Sequence, residues 1–276
     1  MRILLLGVAT VALSGCSFLG LGGQKHSSYK HVSKNSYASH HVNNGCNSNQ
    51  CLSKWNLEGG IGPSFAVGGN VVTGSSTNDI PGTEINNLSW NDMYDRGVRA
   101  ELGGSYALNP NRKVTATAFL ENADSSGSQD WGQLAPGQNL TGALSDYKSY
   151  GAELGLRQYF TPQRNVPLIK TFRPYVEGRL GATNIDDISI QGASINGSAP
   201  LADLAFYDGG WVGSAAGLVG VETPLTRYST IGLETGVRYT QGLDSSRSTL
   251  PAQIAGSNNT GGRTTIPVML RGRYRF

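Results

Sequence analysis

The chain has 276 residues, room for one or two domains, with 38 glycines, 15% charged residues and a formal net charge of +3. So small a positive balance, with no basic patch interleaved with aromatics, argues against nucleic acid as a partner. No run of about 18 apolar residues occurs, which excludes a membrane-spanning helix, so any crossing of a bilayer falls to strands.

Met1-Arg2 and the apolar run Ile3 to Leu13 read as the n- and h-regions of an export signal, too short to span a membrane. The run ends in Leu13-Ser14-Gly15-Cys16, which resembles a bacterial lipobox. That resemblance implies cleavage of a lipoprotein signal peptide, residues 1–15, and a diacylglycerol on Cys16. Ser17 rather than Asp after the cysteine implies transfer to the outer membrane. The alternative is an ordinary secretory signal with an incidental cysteine. Of the 3 cysteines, Cys46 and Cys51 then remain. An even remainder in an exported chain suggests one small disulfide loop; two free thiols, or a metal site with the nearby histidines, are the alternatives.

Residues 16–53 are rich in Ser, Asn, Gly, His and Lys, contain His26, His31, His40 and His41, and hold no acidic residue. Such a segment cannot bury enough apolar area to order itself, and it reads as a disordered periplasmic tether between lipid and the following domain. Sharper readings are a cationic arm for anionic envelope polymer such as peptidoglycan, or a weak metal-binding tract. The histidine spacing is irregular and matches no tight site, so no metal and no cofactor is expected.

From Trp55 to the end one theme repeats: apolar and polar residues alternate, as they do on the two faces of a β-strand. Trp55 to Val67, Val98 to Leu108, Val114 to Glu121, Tyr150 to Phe160, Val176 to Ala182, Trp211 to Val221, Ile231 to Tyr239 and Arg263 to Phe276 give eight such stretches, each about long enough to cross a bilayer when tilted. The last is the clearest. Ile266, Val268, Leu270, Tyr274 and Phe276 fall on one face, and Arg271, Arg273 and Arg275 on the other. Short connections at Asn109–Arg112, Thr161–Thr171 and Pro224–Arg227 alternate with long ones near residues 68–92, 122–146, 183–209 and 241–262. Pro63, Pro174 and Pro267 each remove a ladder donor and are expected at bulges or strand ends.

These features predict an all-β chain: an eight-stranded antiparallel transmembrane β-barrel over residues 54–276 with periplasmic turns and extracellular loops. Tyr106, Phe160, Tyr239, Tyr274 and Phe276 fall near strand ends, where interfacial aromatics sit. A lipocalin or β-sandwich also alternates, but keeps its apolar face inside. The pattern resembles the small eight-stranded outer-membrane proteins of the OmpA/OmpX kind, including "porin family" proteins, over about Trp55 to Phe276. The terminal Tyr274 and Phe276 resemble the C-terminal signature by which the barrel-assembly machinery receives such chains. The resemblance implies outer-membrane lipid and lipopolysaccharide as surroundings and host or surface ligands as partners of the loops. The chain departs from that family's common pattern in its lipobox and tether.

The predicted inward set is Glu58, Glu101, Glu121, Glu153, Glu177, Glu222 and Glu234 against Arg99, Arg157, Arg179, Arg238, Arg271 and Arg273. Buried charges must be paired, so near balance reads as an ion-pair network that fills the lumen. No histidine follows His41, which leaves a barrel catalyst without the base that Ser or water would need near neutral pH. Asp186-Asp187 is a candidate cation site, with simple solvation as the plainer reading. The expected function is non-enzymatic: a structural or adhesive surface barrel acting through its long loops, with a narrow channel as the alternative and a lipid-modifying enzyme behind it. The loops themselves show no regular pattern.

Overall fold

The computed structural model describes residues 54–74, 82–160, 172–245, 250–251, 254, 256–258 and 262–276. The signal segment, the tether with Cys16, Cys46 and Cys51, and the connection 161–171 lie outside the described residues.

Eight strands close into one antiparallel barrel: β1 (Trp55–Gly68), β2 (Gly97–Asn109), β3 (Arg112–Ala123), β4 (Tyr147–Tyr159), β5 (Arg173–Ile185), β6 (Gly210–Pro224), β7 (Ser229–Thr240) and β8 (Arg263–Arg275). Each pairs with its chain neighbours, and β1 closes the ring on β8 from Asn56↔Arg275 to Gly68↔Thr264. Closure removes both sheet edges, so no row of backbone donors is left for lipid to strand. The cause is visible in β3, where all twelve residues alternate between outward and buried.

Pro174, the second residue of β5, sits at a strand end. Pro63 and Pro267 do not. The β1–β8 register runs unshifted from Ile61↔Leu270 to Ser64↔Pro267. Each proline costs one ladder donor, and the pairs on either side hold the register across the gap. At one point the absence of a side chain is structural. A Cβ on Gly220 would lie 2.4 Å from the ring of Tyr175, its register partner on β5, so glycine lets that ring lie against β6.

Beyond the loop ends of the strands the chain is ordered, against the expectation of patternless loops. Segments Glu84–Ile85, Gln129–Ala135, Gln138–Leu144, Ile188–Ile195, Leu204–Asp208 and Asp244–Ser245 form a six-stranded sheet drawn from all four long connections. Asn70–Val72 pairs with Leu88–Ser89 beside it. A four-residue helix, Trp90–Met93, follows, started by a capping box in which Ser89 and Asp92 satisfy each other's backbone. The apolar core of the molecule is in this layer. Val71, Met93, Trp131, Leu144, Ile188, Phe206 and Tyr207 are essentially fully buried there, while the barrel below is lined with charge.

Candidate functional site: a filled lumen under a folded loop layer

The outward face of the barrel is apolar. Leu154 and Leu180 show 67% and 71% of their surface, and Ile61, Val98, Leu233 and Val268 stand on the same face. A continuous face of this kind is stable against hydrocarbon and not against water. Aromatics mark both of its margins. Trp55 and Tyr106 (centroids 4.9 Å apart) and Tyr228, Tyr274 and Phe276 lie at the turn end; Tyr150 and Trp211 (5.7 Å) lie at the loop end. Tyr274 and Phe276 meet edge to face at 5.5 Å on the outer surface.

Inside, alternation puts every predicted lumen residue on the buried face: seven glutamates and six arginines, none more than 6% exposed. They pair in continuous fashion. Glu101 takes Arg99 at 2.7 Å, Arg179 at 2.9 Å and Arg238 at 3.1 Å, and also Arg271. Arg179 goes on to Glu177 at 2.8 Å and Glu234 at 3.4 Å. Arg99 reaches Glu121 at 3.1 Å and Glu153 at 3.3 Å, and Glu153 also pairs with Arg238. Toward the turn end Arg157 holds Glu177 at 2.6 Å and Glu58 at 2.8 Å, and Arg273 pairs with Glu58 at 3.2 Å and with Glu222. Each charge thus has partners from other strands, which offsets the several kcal/mol that desolvating an ion costs.

Two further basic residues share the buried inward face. Arg263 is 4% exposed, pairs with Glu121 at 2.8 Å, and stacks on Tyr147 at 4.1 Å, joining the lumen to the loop layer. Lys113 is 8% exposed and lies 5.3 Å from the ring of Tyr159. Both stand in phase with predicted inward residues, Arg263 with Arg271 and Lys113 with Glu121, so extending the alternation by one step at the strand starts identifies them.

In the loop layer Trp131 donates from Nε1 to the carbonyl of Gly142 (3.0 Å) and meets Phe206 edge to face at 5.3 Å. An apolar cleft of about 50 Å³ opens beside it, lined by Leu134, Leu140, Ile190, Leu204 and Ile254. That is well below the roughly 300 Å³ of a small-molecule site. Asp187 spends a carboxylate oxygen on the backbone N–H of Gly209 (2.7 Å), which pins the strand ends of β5 and β6. Among the described residues no group of three His, Cys, Asp or Glu side chains is gathered as for a metal.

No protein-family model and no curated protein matches the chain. Solved structures do. It is similar to the small outer-membrane β-barrels. OprG from Pseudomonas aeruginosa is 14% identical over 82% of this chain and 97% of that one, with a TM-score of 0.42. Neisserial surface protein A is 12% identical over 82% of this chain and all of its own, at 0.41. The outer membrane protease OmpT from Escherichia coli is 9% identical over 83% and 99%, at 0.41. At these identities the likeness is one of fold.

Proposed function

We propose that the chain is a non-enzymatic outer-membrane lipoprotein in which the filled barrel is the anchor and the loop layer is the working surface, structural or adhesive, turned to the outside of the cell. The observation that carries this reading is where the apolar core lies. A protein that conducts needs its order around an open lumen; here the lumen is closed by paired charges and the order is invested in the loops. Host or surface ligands, and lipopolysaccharide around the barrel, are the partners that fit such a surface. Tyr274 and Phe276 serve the assembly machinery, Cys16 carries the lipid, and Cys46 and Cys51 close a disulfide in the tether.

The test is removal of the hairpin 129–144 from the expressed full chain. The proposal expects surface binding by whole cells to be lost while the band that shifts on boiling in SDS persists. Retained binding, or lipid turnover by the purified protein, would sink it. Loss of radiolabelled palmitate in Cys16→Ser checks the anchor separately.

A further inference from the structure

The charges of this chain are sorted along the barrel. Every aspartate falls in or beside one of the four long connections, and every glutamate except Glu84 lies on a barrel strand. The turn end carries Lys54, Arg112, Lys113, Arg173, Arg227 and Arg275. Its nearest carboxylates, Glu58 and Glu222, are already committed to Arg157 and Arg273.

Two of these cations, Lys113 and Arg173, and Arg273 of β8 converge around one ring. Tyr159, the last residue of β4, has the Arg173 guanidinium 4.1 Å from its centroid and the Lys113 ammonium at 5.3 Å. Its hydroxyl accepts from Arg273 Nη1 at 3.1 Å. Arg275 follows Arg273 by two residues on the inward side of β8 and is half-buried at its end. Arg173 spends one nitrogen on the carbonyl of Pro110 and on Asn111 Oδ1 at 3.4 Å, both neutral acceptors. Among the described residues no carboxylate forms an ion pair with Lys113, Arg173 or Arg275. Arg273 is 94% buried (6% exposed), and its Nη2, like Nε of Arg275, is enclosed without a hydrogen-bond acceptor. Three cations without an ion-pair partner among the described residues, beside an Arg273 whose Nη2 is unspent, make an environment that an added anion completes, because like charges held this closely repel and a buried unpaired donor is costly.

We infer that the turn-end mouth of the barrel is a phosphate-binding site, formed by Lys113, Arg173, Arg273 and Arg275 around Tyr159. Its occupant is a phosphate oxyanion, supplied either by the headgroup of an anionic phospholipid or by soluble phosphate. Guanidinium forks match a tetrahedral oxyanion in two directions at once, and a half-buried position strengthens each contact over its value in water. The placement suits a headgroup: Tyr228, Tyr274 and Phe276 mark the interfacial margin on the same end. The periplasmic facing of this end rests on the reading above, but the chemistry of the site does not.

The full chain, refolded in octyl glucoside so that the detergent holds no phosphate, is titrated with inorganic phosphate at constant ionic strength and followed by the 31P line width. Saturable broadening is expected, weakened roughly tenfold or more in Arg173→Gln/Arg275→Gln, whose two sites lie at the rim outside the lumen ion pairs. Lys113→Met provides a second variant, and an unchanged boiling-dependent gel shift certifies the fold of each. Displacement of the ion by short-chain phosphatidylglycerol assigns the source to lipid; binding of inorganic phosphate without such displacement assigns it to soluble phosphate. Either supports the site. Broadening that does not saturate, that is equal in the variants, or that acetate reverses as well as phosphate overturns it.

Discussion

The Glu101 carboxylate receives Nη1 of Arg179 at 2.9 Å, although β2 and β5 are three strands apart around a ring of eight. Arg157 of β4 reaches Glu58 of β1 over the same span at 2.8 Å. Contacts of this reach cross the lumen, so the network acts as a plug as well as a lining. Glu101 is its busiest acceptor, with four guanidinium partners. Glu101→Ala therefore leaves several buried cations short of an anion, and removing one member of a buried pair costs about 3–5 kcal/mol. Urea unfolding in detergent is expected to show a lower midpoint with an unchanged slope. A midpoint within error of the parent would show that the arginines redistribute freely and that Glu101 is no hub.

The same crossing contacts set an electrical expectation. With seven glutamates and seven arginines mutually paired in the lumen, an entering ion must break pairs in a low-dielectric interior. Planar-bilayer recordings of the pure protein are expected to show no steady conductance. Stable open steps in the parent chain would put the channel reading ahead of the structural or adhesive one.

Trp131 tests whether the loop layer is a separate cooperative unit. It is fully buried, bonded to Gly142 and packed on Phe206, and both of these partners belong to the loop layer. Trp131→Ala removes a large core side chain, a change worth about 3–5 kcal/mol. Protease added to intact cells is expected to cleave the loops of the variant several-fold faster, while the boiling-dependent shift of the barrel stays. Collapse of that shift would mean that layer and barrel fold as one.

The sequence and the structure agree where side-chain period is long and uninterrupted. Alternating stretches of 7 to 14 residues mark each barrel strand, and the phase of that alternation carries the inward set with it. The loop layer is less legible for a physical reason. Its strands run two to eight residues, too short to establish a period. Their partners come from other connections, as when Ile190 pairs with Leu144 and Tyr207 with Ser245. Pairing of that kind is decided by which loops the barrel holds side by side, information that a local reading does not contain. Trp131, Leu140, Leu144, Ile188, Ile190 and Phe206 were a signal all the same: so many large apolar residues in supposedly solvated loops call for a core.

Tyr94 offers a test in which pH supplies the sign. It follows the short helix in the first long connection, stacks on Trp90 at 5.6 Å, and is 2% exposed. Its hydroxyl is enclosed without a hydrogen-bond partner among the described residues. Burial pushes the phenol well above its ordinary value, since a phenolate there would lose its water, and the nearby Arg263 charge only partly offsets this. The folded state therefore keeps the proton at pH values where the unfolded state, with a phenol near pH 10, gives it up. Stability from this group is intact below about pH 10 and falls above it by about 1.4 kcal/mol per pH unit, because the unfolded state then binds fewer protons than the folded one. Tyr94→Phe removes both the stranded hydroxyl and the titration. The variant is expected to match or exceed the parent at pH 8, since an unsatisfied buried hydroxyl costs about 1–3 kcal/mol. Its advantage is expected to widen steadily between pH 10 and 12 in paired urea titrations. A gap between the two proteins that stays constant across that range would show that water reaches the hydroxyl and that the loop layer is not closed over Tyr94.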